Sequence, residues 1–377
     1  MEKVKVAVVG CGVISRIYFE NMTRRFSILE VAGCCDLNEE AAERTAKEFG
    51  IRKLTMEEIL ADESIEIVVN LTNPSAHYEV IKRLLTHGKN VYTEKVLAVE
   101  LAQAKELKEL ADEKGVLLCA APDTFLGAAA QTARLAVESG LIGEVTSCVA
   151  VLQRDAALLA EKFPYTAKAG GGIGIDVGIY YITELLSLLG PASVVCGMSK
   201  THSPHRTHYF TSKGQFGEPY TITSETLLAG TVQFESGAVG SLHFNSASIR
   251  LERPSVVLYG TEGILSLPDP NMFGGSVRVT AKGQEESYIL PHTHAYDGDD
   301  RGIGVAEMAW SLRKGRIPRT NKELCYHALE VLNGILISGQ TGRFYEVASR
   351  FEKQQPLPRG FLGAKYAMSE EEASLAF

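Results

Sequence analysis

Lys3 to Ser15 reads KVKVAVVGCGVIS. Lys3 to Val9 is a short β-branched run that suits a buried strand, and Ile14 to Phe26 carries a helical pattern. Between them stands Gly10-Cys11-Gly12. Two glycines there permit a tight turn and let the backbone approach a ligand, while the helix start beyond offers free N–H groups and the positive end of the helix dipole. The pattern is G-x-G-x-x-S, with Ser15 small enough to keep helix and strand close. A second strand, Leu29 to Asp36, ends on a carboxylate 36 − 10 = 26 positions after the first glycine. Strand before, helix after and acid at the second strand's end together predict a bound dinucleotide. Gly10, Gly12, Val13 and Ile14 are then candidate contacts to its phosphates, and Asp36 and Leu37 to its adenosine end. Asp36 would accept from ribose hydroxyls and repel a 2′-phosphate, and no arginine follows at 37 or 38, so NAD is expected over NADP.

Outward from this unit the same grammar repeats. Helices are expected over 39–49, 75–87 and 99–114, alternating with strands over 65–71, 90–93 and 116–121, which predicts a parallel, doubly wound sheet. After Pro122 longer strands dominate (144–153, 193–200, 223–236, 238–249, 254–259, 263–268, 274–280, 285–290), with helices over 125–140, 176–189, 302–314 and 322–339. Such runs of strands predict a mainly antiparallel sheet. The expected fold class is α/β: a Rossmann-type domain over 1–122, a second α/β domain with a large open sheet over 123–353, and an extended Pro/Gly-rich arm over 354–377.

Length fits two domains, since 377 residues exceed what one core usually organises. The balance of 38 basic against 46 acidic residues, net −8, and the lack of a Lys/Arg cluster argue against nucleic acid as a partner. No apolar run reaches the length of a membrane helix, and the apolar stretch near the start is too short for a signal peptide. The seven cysteines include no C-x-x-C, so reduced, buried thiols and a cytoplasmic location are expected. His202, His205 and His208, like His292 and His294, read as loop histidines rather than metal ligands, because no cysteine or paired carboxylate joins them. The strands at 223–236 and 238–249 leave apolar residues on a face that helices do not reach, which predicts a homodimer or homotetramer.

Four further blocks, in order and spacing, resemble the Gfo/Idh/MocA oxidoreductase family: Thr72-Asn73-Pro74 with His77; Glu94-Lys95-Val96, where Val96 replaces the motif's proline; Gly170-Gly171-Gly172 with Asp176, Gly178 and Tyr180-Tyr181; and Arg301-Gly302-Ile303-Gly304. The resemblance implies hydride transfer between a nicotinamide and a carbon bearing OH or C=O on a sugar, cyclitol or glycoside. It adds Thr72, Asn73, His77, Glu94 and Lys95 as cofactor contacts and Lys95, Asp176 and Tyr180 as the catalytic set. Tyr180 stands where the inositol dehydrogenases have histidine. Asp176 and Tyr180 are i and i+4 at a helix start and would share a face; Tyr180 is expected to take the proton, with Lys95 lowering its pKa. Arg154, Tyr165, Asp176 and Tyr180 are the candidate substrate contacts. Two other readings fit the same residues: a redox-assisted glycosidase or internally recycling enzyme with tightly held NAD, and a nucleotide-sensing regulator, which would not need the proton-transfer set.

Overall fold

The computed structural model describes residues 2–210, 214–248 and 255–358. The first part alternates β1 (Val4–Val9), α1 (Ser15–Arg24), β2 (Leu29–Cys35), α2 (Glu39–Phe49), β3 (Arg52–Lys53), α3 (Met56–Ala61), β4 (Ile67–Asn70), α4 (Pro74–Thr86), β5 (Asn90–Thr93), α5 (Leu101–Lys114) and β6 (Leu118–Ala120). All six strands are parallel, in the order β3-β2-β1-β4-β5-β6. Val4, Val6, Val8, Ile67, Val68 and Val69 are fully buried, as expected of strands covered on both faces. Local chemistry sets the helix ends: the Asn38 side chain accepts from the Ala41 amide at the start of α2, and Gly50 closes it in the left-handed region. The short β3 and α3 fall within a stretch that the sequence reading left without elements.

The second part contains α6 (Ala128–Glu138), β7 (Val145–Gln153), α7 (Ala156–Lys162), α8 (Ile179–Leu189), β8 (Ala192–Lys200), β9 (His205–Thr207), β10 (Pro219–Thr221), β11 (Leu227–Phe234), β12 (Val239–Asn245), β13 (Ser255–Gly260), β14 (Gly263–Leu267), β15 (Val277–Ala281), β16 (Tyr288–Leu290), α9 (Ile303–Lys314), α10 (Lys322–Thr341) and β17 (Tyr345–Glu346). Nine strands form one sheet, β16-β15-β14-β13-β7-β12-β11-β8-β17, antiparallel throughout except for the β7–β12 pair. Its inner face packs under α6, α8 and α10, with the Tyr181 and Phe244 rings 5.4 Å apart. The outer face alternates polar and apolar side chains, and Met198, Val239, Tyr259 and Ile264 stand exposed on it.

Two helices break the simple division at residue 122. Helix α9 returns to pack on β5 and β6, and α10 contacts both β6 and β8, so the two sheets share helices. The arm is extended over 354–358: Arg134 binds the Gln354 carbonyl, Arg319 those of Gln355 (2.7 Å) and Pro356 (3.0 Å), and the Leu357 amide donates to Gln131 (2.9 Å). Residues 359–377 of the expected arm, and the strand ends expected at 249 and 254, lie outside the described residues. No helix among the described residues is long and apolar enough to cross a membrane.

Glu307 on α9 is the electrostatic centre of this junction. It is fully buried and takes Arg316 at 2.6 Å and Arg319 at 2.8 Å, and it accepts from the Arg319 amide at 3.0 Å. Glu307→Ala strips these guanidiniums of their carboxylate and is expected to destabilise the chain by about 3–5 kcal/mol. Thermal unfolding of the variant checks this; an unchanged midpoint would show that the network adds no stability.

Candidate active site

The strand order reverses direction of growth between β1 and β4, and open parallel sheets bind ligands at the carboxyl ends beside such a point. A cleft of about 830 Å³ opens there. Gly10, Gly12, Val13 and Ile14 lie at this edge. Gly10 has φ +103°, and a Cβ on it would come within 2.7 Å of the Leu71 carbonyl carbon, so only glycine fits. A Cβ on Gly12 would meet nothing within 4 Å, and no side chain caps the start of α1. The turn therefore presents an open backbone before a helix start that no side chain caps, which fits a pyrophosphate. Asp36, beyond the cleft lining at the end of β2, is oriented by the amides of Cys11 and Asn38, each at 2.7 Å. Each carboxylate oxygen keeps a lone pair for a ribose hydroxyl. The Leu37 side chain stands fully in solvent beside it.

Thr72, Asn73 and Glu94 line the same cleft. The Glu94 carboxylate is fixed by Tyr18 Oη at 2.7 Å. His77 does not: it is fully buried, with Nδ1 2.6 Å from the Val96 carbonyl and Nε2 3.0 Å from that of Thr72. The expectation that His77 touches the cofactor is corrected. Its ring clamps together the two loops that form the cleft edge, and burial pulls its pKa down despite the two carbonyls.

Across the cleft, Lys95 Nζ donates to Asp176 Oδ1 at 2.5 Å and to the Asp176 carbonyl at 2.7 Å. Tyr165 Oη donates to the same carboxylate oxygen at 3.1 Å. Lys95 Nζ lies 5.7 Å from the Tyr180 ring centroid. The backbone there is irregular: Gly174–Gly178 is a π-helical turn, not the start of the α-helix expected from Asp176. The glycines before it serve protein packing rather than ligand approach. A Cβ on Gly171 would sit 2.3 Å from the Tyr165 carbonyl oxygen, and one on Gly172 would strike the Glu225 carboxylate at 1.9 Å. Glu225 accepts from the Gly174 amide at 3.2 Å and so holds the turn from beneath.

Burial pushes the Tyr180 pKa up; Lys95 pulls it down, as expected, but does not cancel the effect of burial. Burial also opposes the Lys95 charge, but Asp176, followed by Tyr180 and Tyr165, outweighs it and holds the ammonium well above the usual lysine value. Lys95 is thus a cation held chiefly by Asp176. The Lys95–Val96 peptide is cis. Arg154 lines the cleft and pairs with Asp269 at 3.3 Å; Tyr181 is a core residue whose hydroxyl reaches the same aspartate at 3.2 Å. Arg301, from the Arg301-Gly302-Ile303-Gly304 block, also lines the cleft. The loop histidines have local partners: His208 pairs with Glu161 at 2.6 Å, and His292 and His294 contact the Gly275 and Leu357 carbonyls.

Residues 4–121 match the oxidoreductase family with an NAD-binding Rossmann fold, and residues 130–266 match the GFO/IDH/MocA C-terminal domain. An uncharacterized oxidoreductase of Schizosaccharomyces pombe is 30% identical over 200 residues, 52% of this chain and 54% of that relative, so the chain spans about half its length. The scyllo-inositol 2-dehydrogenase (NAD(+)) of Bacillus subtilis is 25% identical over 324 residues, 84% of this chain and 88% of the enzyme. Levoglucosan dehydrogenase in complex with NADH shares the fold at a TM-score of 0.80, with 18% identity, 92% of this chain covered and 100% of that one. With both halves matched in order, the chain belongs to the Gfo/Idh/MocA oxidoreductase family and carries its NAD-binding Rossmann fold.

Proposed function

We propose that the chain is an NAD-dependent dehydrogenase acting on a carbinol or keto carbon of a sugar, cyclitol or glycoside. The observation that carries this is the Lys95–Asp176 pair beside Tyr180, set across one cleft from the open glycine turn. When bound, NAD supplies the hydride acceptor. The chain's own residues supply orientation and the proton. Two of the three Lys95 N–H groups are used on Asp176, which leaves the third for a substrate oxygen and puts a fixed positive charge where an oxyanion develops. Tyr180 is the proton-transfer group. With its pKa raised it carries its proton at neutral pH and can protonate the oxygen of a carbonyl being reduced. In the oxidising direction its phenolate must form first, so oxidation is expected to quicken as pH rises. A screen of sugars, cyclitols and glycosides with NAD, followed by the absorbance of reduced nicotinamide, tests the activity. Tyr180→Phe keeps the ring and its packing and is expected to lower turnover by ~10²-fold or more with NAD affinity little changed. Original turnover with an unchanged pH profile would make Tyr180 a packing residue.

NAD preference rests on the oriented Asp36 carboxylate, which a 2′-phosphate would meet at close range. Asp36→Ser is expected to narrow the gap between NAD and NADP in a binding titration. Equal or tighter NADP binding by the unaltered chain would overturn the assignment. The free cysteines suit a reducing, cytoplasmic setting.

We further infer a homodimer or homotetramer covering the outer face of the nine-stranded sheet, where exposed Met198, Val239, Tyr259 and Ile264 lie among polar side chains. Sedimentation at micromolar concentration checks this: a species of one chain's mass would contradict it.

A further inference from the structure

Two arginines, Arg154 and Arg301, line the cleft outside the Lys95–Asp176–Tyr180 set, and one short loop holds both. It runs over residues 268–276, between β14 and β15, and is anchored by Phe273, which is buried. From this loop Asp269 Oδ2 accepts from Arg154 Nη2 at 3.3 Å, and Asn271 Oδ1, two residues on, accepts from Arg301 Nη2 at 2.9 Å. The loop braces itself, since the Asn271 amide donates to Asp269 Oδ1 at 3.0 Å. Each arginine is also held from elsewhere. The Arg154 amide donates to the Asn245 carbonyl at 2.9 Å. Arg301 Nη1 donates to Asp299 Oδ1 at 2.5 Å, and its guanidinium lies 5.9 Å from the Phe273 ring centroid.

We propose that Arg154 and Arg301 form a subsite for a carboxylate on the substrate, so that the chain acts on sugar acids, with the carboxylate away from the carbinol that is oxidised. The inference rests on the dehydrogenase reading above and names its substrate class. A guanidinium donates and never accepts, and Asn271 Oδ1 is already taken by Arg301. This end of the cleft therefore offers donors. A neutral hydroxyl brings a proton that itself needs an acceptor. A carboxylate brings acceptors alone, in a plane that matches the guanidinium fork. Arg154 keeps most of its donor capacity for such a group: its Nη2 contact with Asp269 is long, and its buried Nε has no partner among the described residues.

The carboxylates that line the cleft have other partners. Asp176 takes Lys95 and Tyr165, Glu94 takes Tyr18, and Asp155, next to Arg154, turns Oδ1 to the Ala157 amide at 2.9 Å as α7 begins. Asp269 and Asp299 each balance one guanidinium, so the subsite holds an anion through directed donors rather than through excess charge. The subsite is also tied to the reacting groups. Tyr181 Oη donates to Asp269 Oδ1 at 3.2 Å, and Tyr181 follows Tyr180 on α8. The loop that holds both arginines is thus fastened to the helix that carries the proton-transfer group. The reach from carboxylate to reacting carbon is then set by folded elements, as orientation of a substrate requires.

The test pairs sugar acids with neutral counterparts, D-glucuronate with D-glucose and D-gluconate with D-sorbitol. Reduced nicotinamide is followed with NAD in the unaltered chain, Arg154→Gln, Arg154→Lys and Arg301→Gln. For the unaltered chain, kcat/KM for the acid should exceed that for its counterpart by ~10-fold or more. That ratio should fall by ~10-fold or more in Arg154→Gln and in Arg301→Gln, chiefly through the KM of the acid. Arg154→Lys keeps the charge without the fork and should restore part of the ratio, which keeps the test decisive should Arg154→Gln fold poorly. A merely structural role would lower acid and counterpart together and leave the ratio in place. That result, or a counterpart used as well as its acid, overturns the proposal and leaves the dehydrogenase reading standing. If no sugar, acid or neutral, is oxidised, the dehydrogenase reading fails, and calorimetry decides the subsite by itself. D-glucuronate should then bind the NADH-loaded chain and bind more weakly to Arg154→Gln; no binding, or equal binding by the variant, overturns the subsite.

Discussion

The ion pair between Lys95 and Asp176 joins the two halves of this molecule at its cleft. Lys95 lies two residues past the end of β5, at the carboxyl end of the parallel sheet, and Asp176 lies in the turn that leads into α8 under the other sheet. Both side chains are largely withdrawn from water, at 13% and 9% exposure, so each charge depends on the other for compensation. Truncating one member of such a pair leaves a buried, unpaired charge, which is far more costly than losing a surface salt bridge. The same contact therefore serves the fold and, on the proposed function, holds the Lys95 charge beside the substrate oxygen.

That pair sits on an irregular backbone. Asp176 lies within the π-helical turn Gly174–Gly178, and Lys95 reaches both its carboxylate and its carbonyl. The turn is held by Glu225 from below and by the Tyr165 segment at its side, and both approach where only glycine leaves room, at Gly172 and Gly171. Tyr165 then reaches from that segment to the same carboxylate. The glycine run is thus a packing requirement of the pair, which is why it reads in sequence as a ligand loop but touches protein.

Much of the architecture was legible because it rests on local patterns. Buried parallel strands such as Val4–Val9 and Ile67–Asn70 are β-branched runs, and Asn38, Gly50 and Gly115 mark helix ends by their own chemistry. The nucleotide turn was legible because Gly10 has one conformational reason to be glycine. What escaped is what several segments decide together. The apolar run through Ile173–Leu189 is buried on every side, so its period cannot distinguish a π turn from an α-helix. His77 lies in a family motif, but its two carbonyl partners come from different loops. The return of α9 to the first sheet leaves no local mark. Arg301 was visible only as a cation before Gly302 and Gly304, and those glycines could have flagged it. Gly302 has φ +98°, and a Cβ on Gly304 would strike the Tyr92 hydroxyl at 2.5 Å, so the segment is pressed against the first domain.

Helix α1 ties these parts together. Its start is the open turn suited to a pyrophosphate, and its buried side reaches both sets of charged groups. Tyr18 fixes Glu94, the neighbour of Lys95, and Asn21, one turn later, holds the carbonyls of Asp299 and Arg301. Arg25 at the helix end pairs with buried Asp300 in the same segment. One rigid element therefore spans the nucleotide turn, the Lys95 loop and the Arg301 segment. On the proposed function, the spacing between a dinucleotide at the turn and the loop that carries Glu94 and Lys95 is then set by helix geometry, which suits the demand that hydride transfer makes on distance. This also accounts for the return of α9 to the first sheet: it brings the Arg301 segment onto the helix that fixes the nucleotide end.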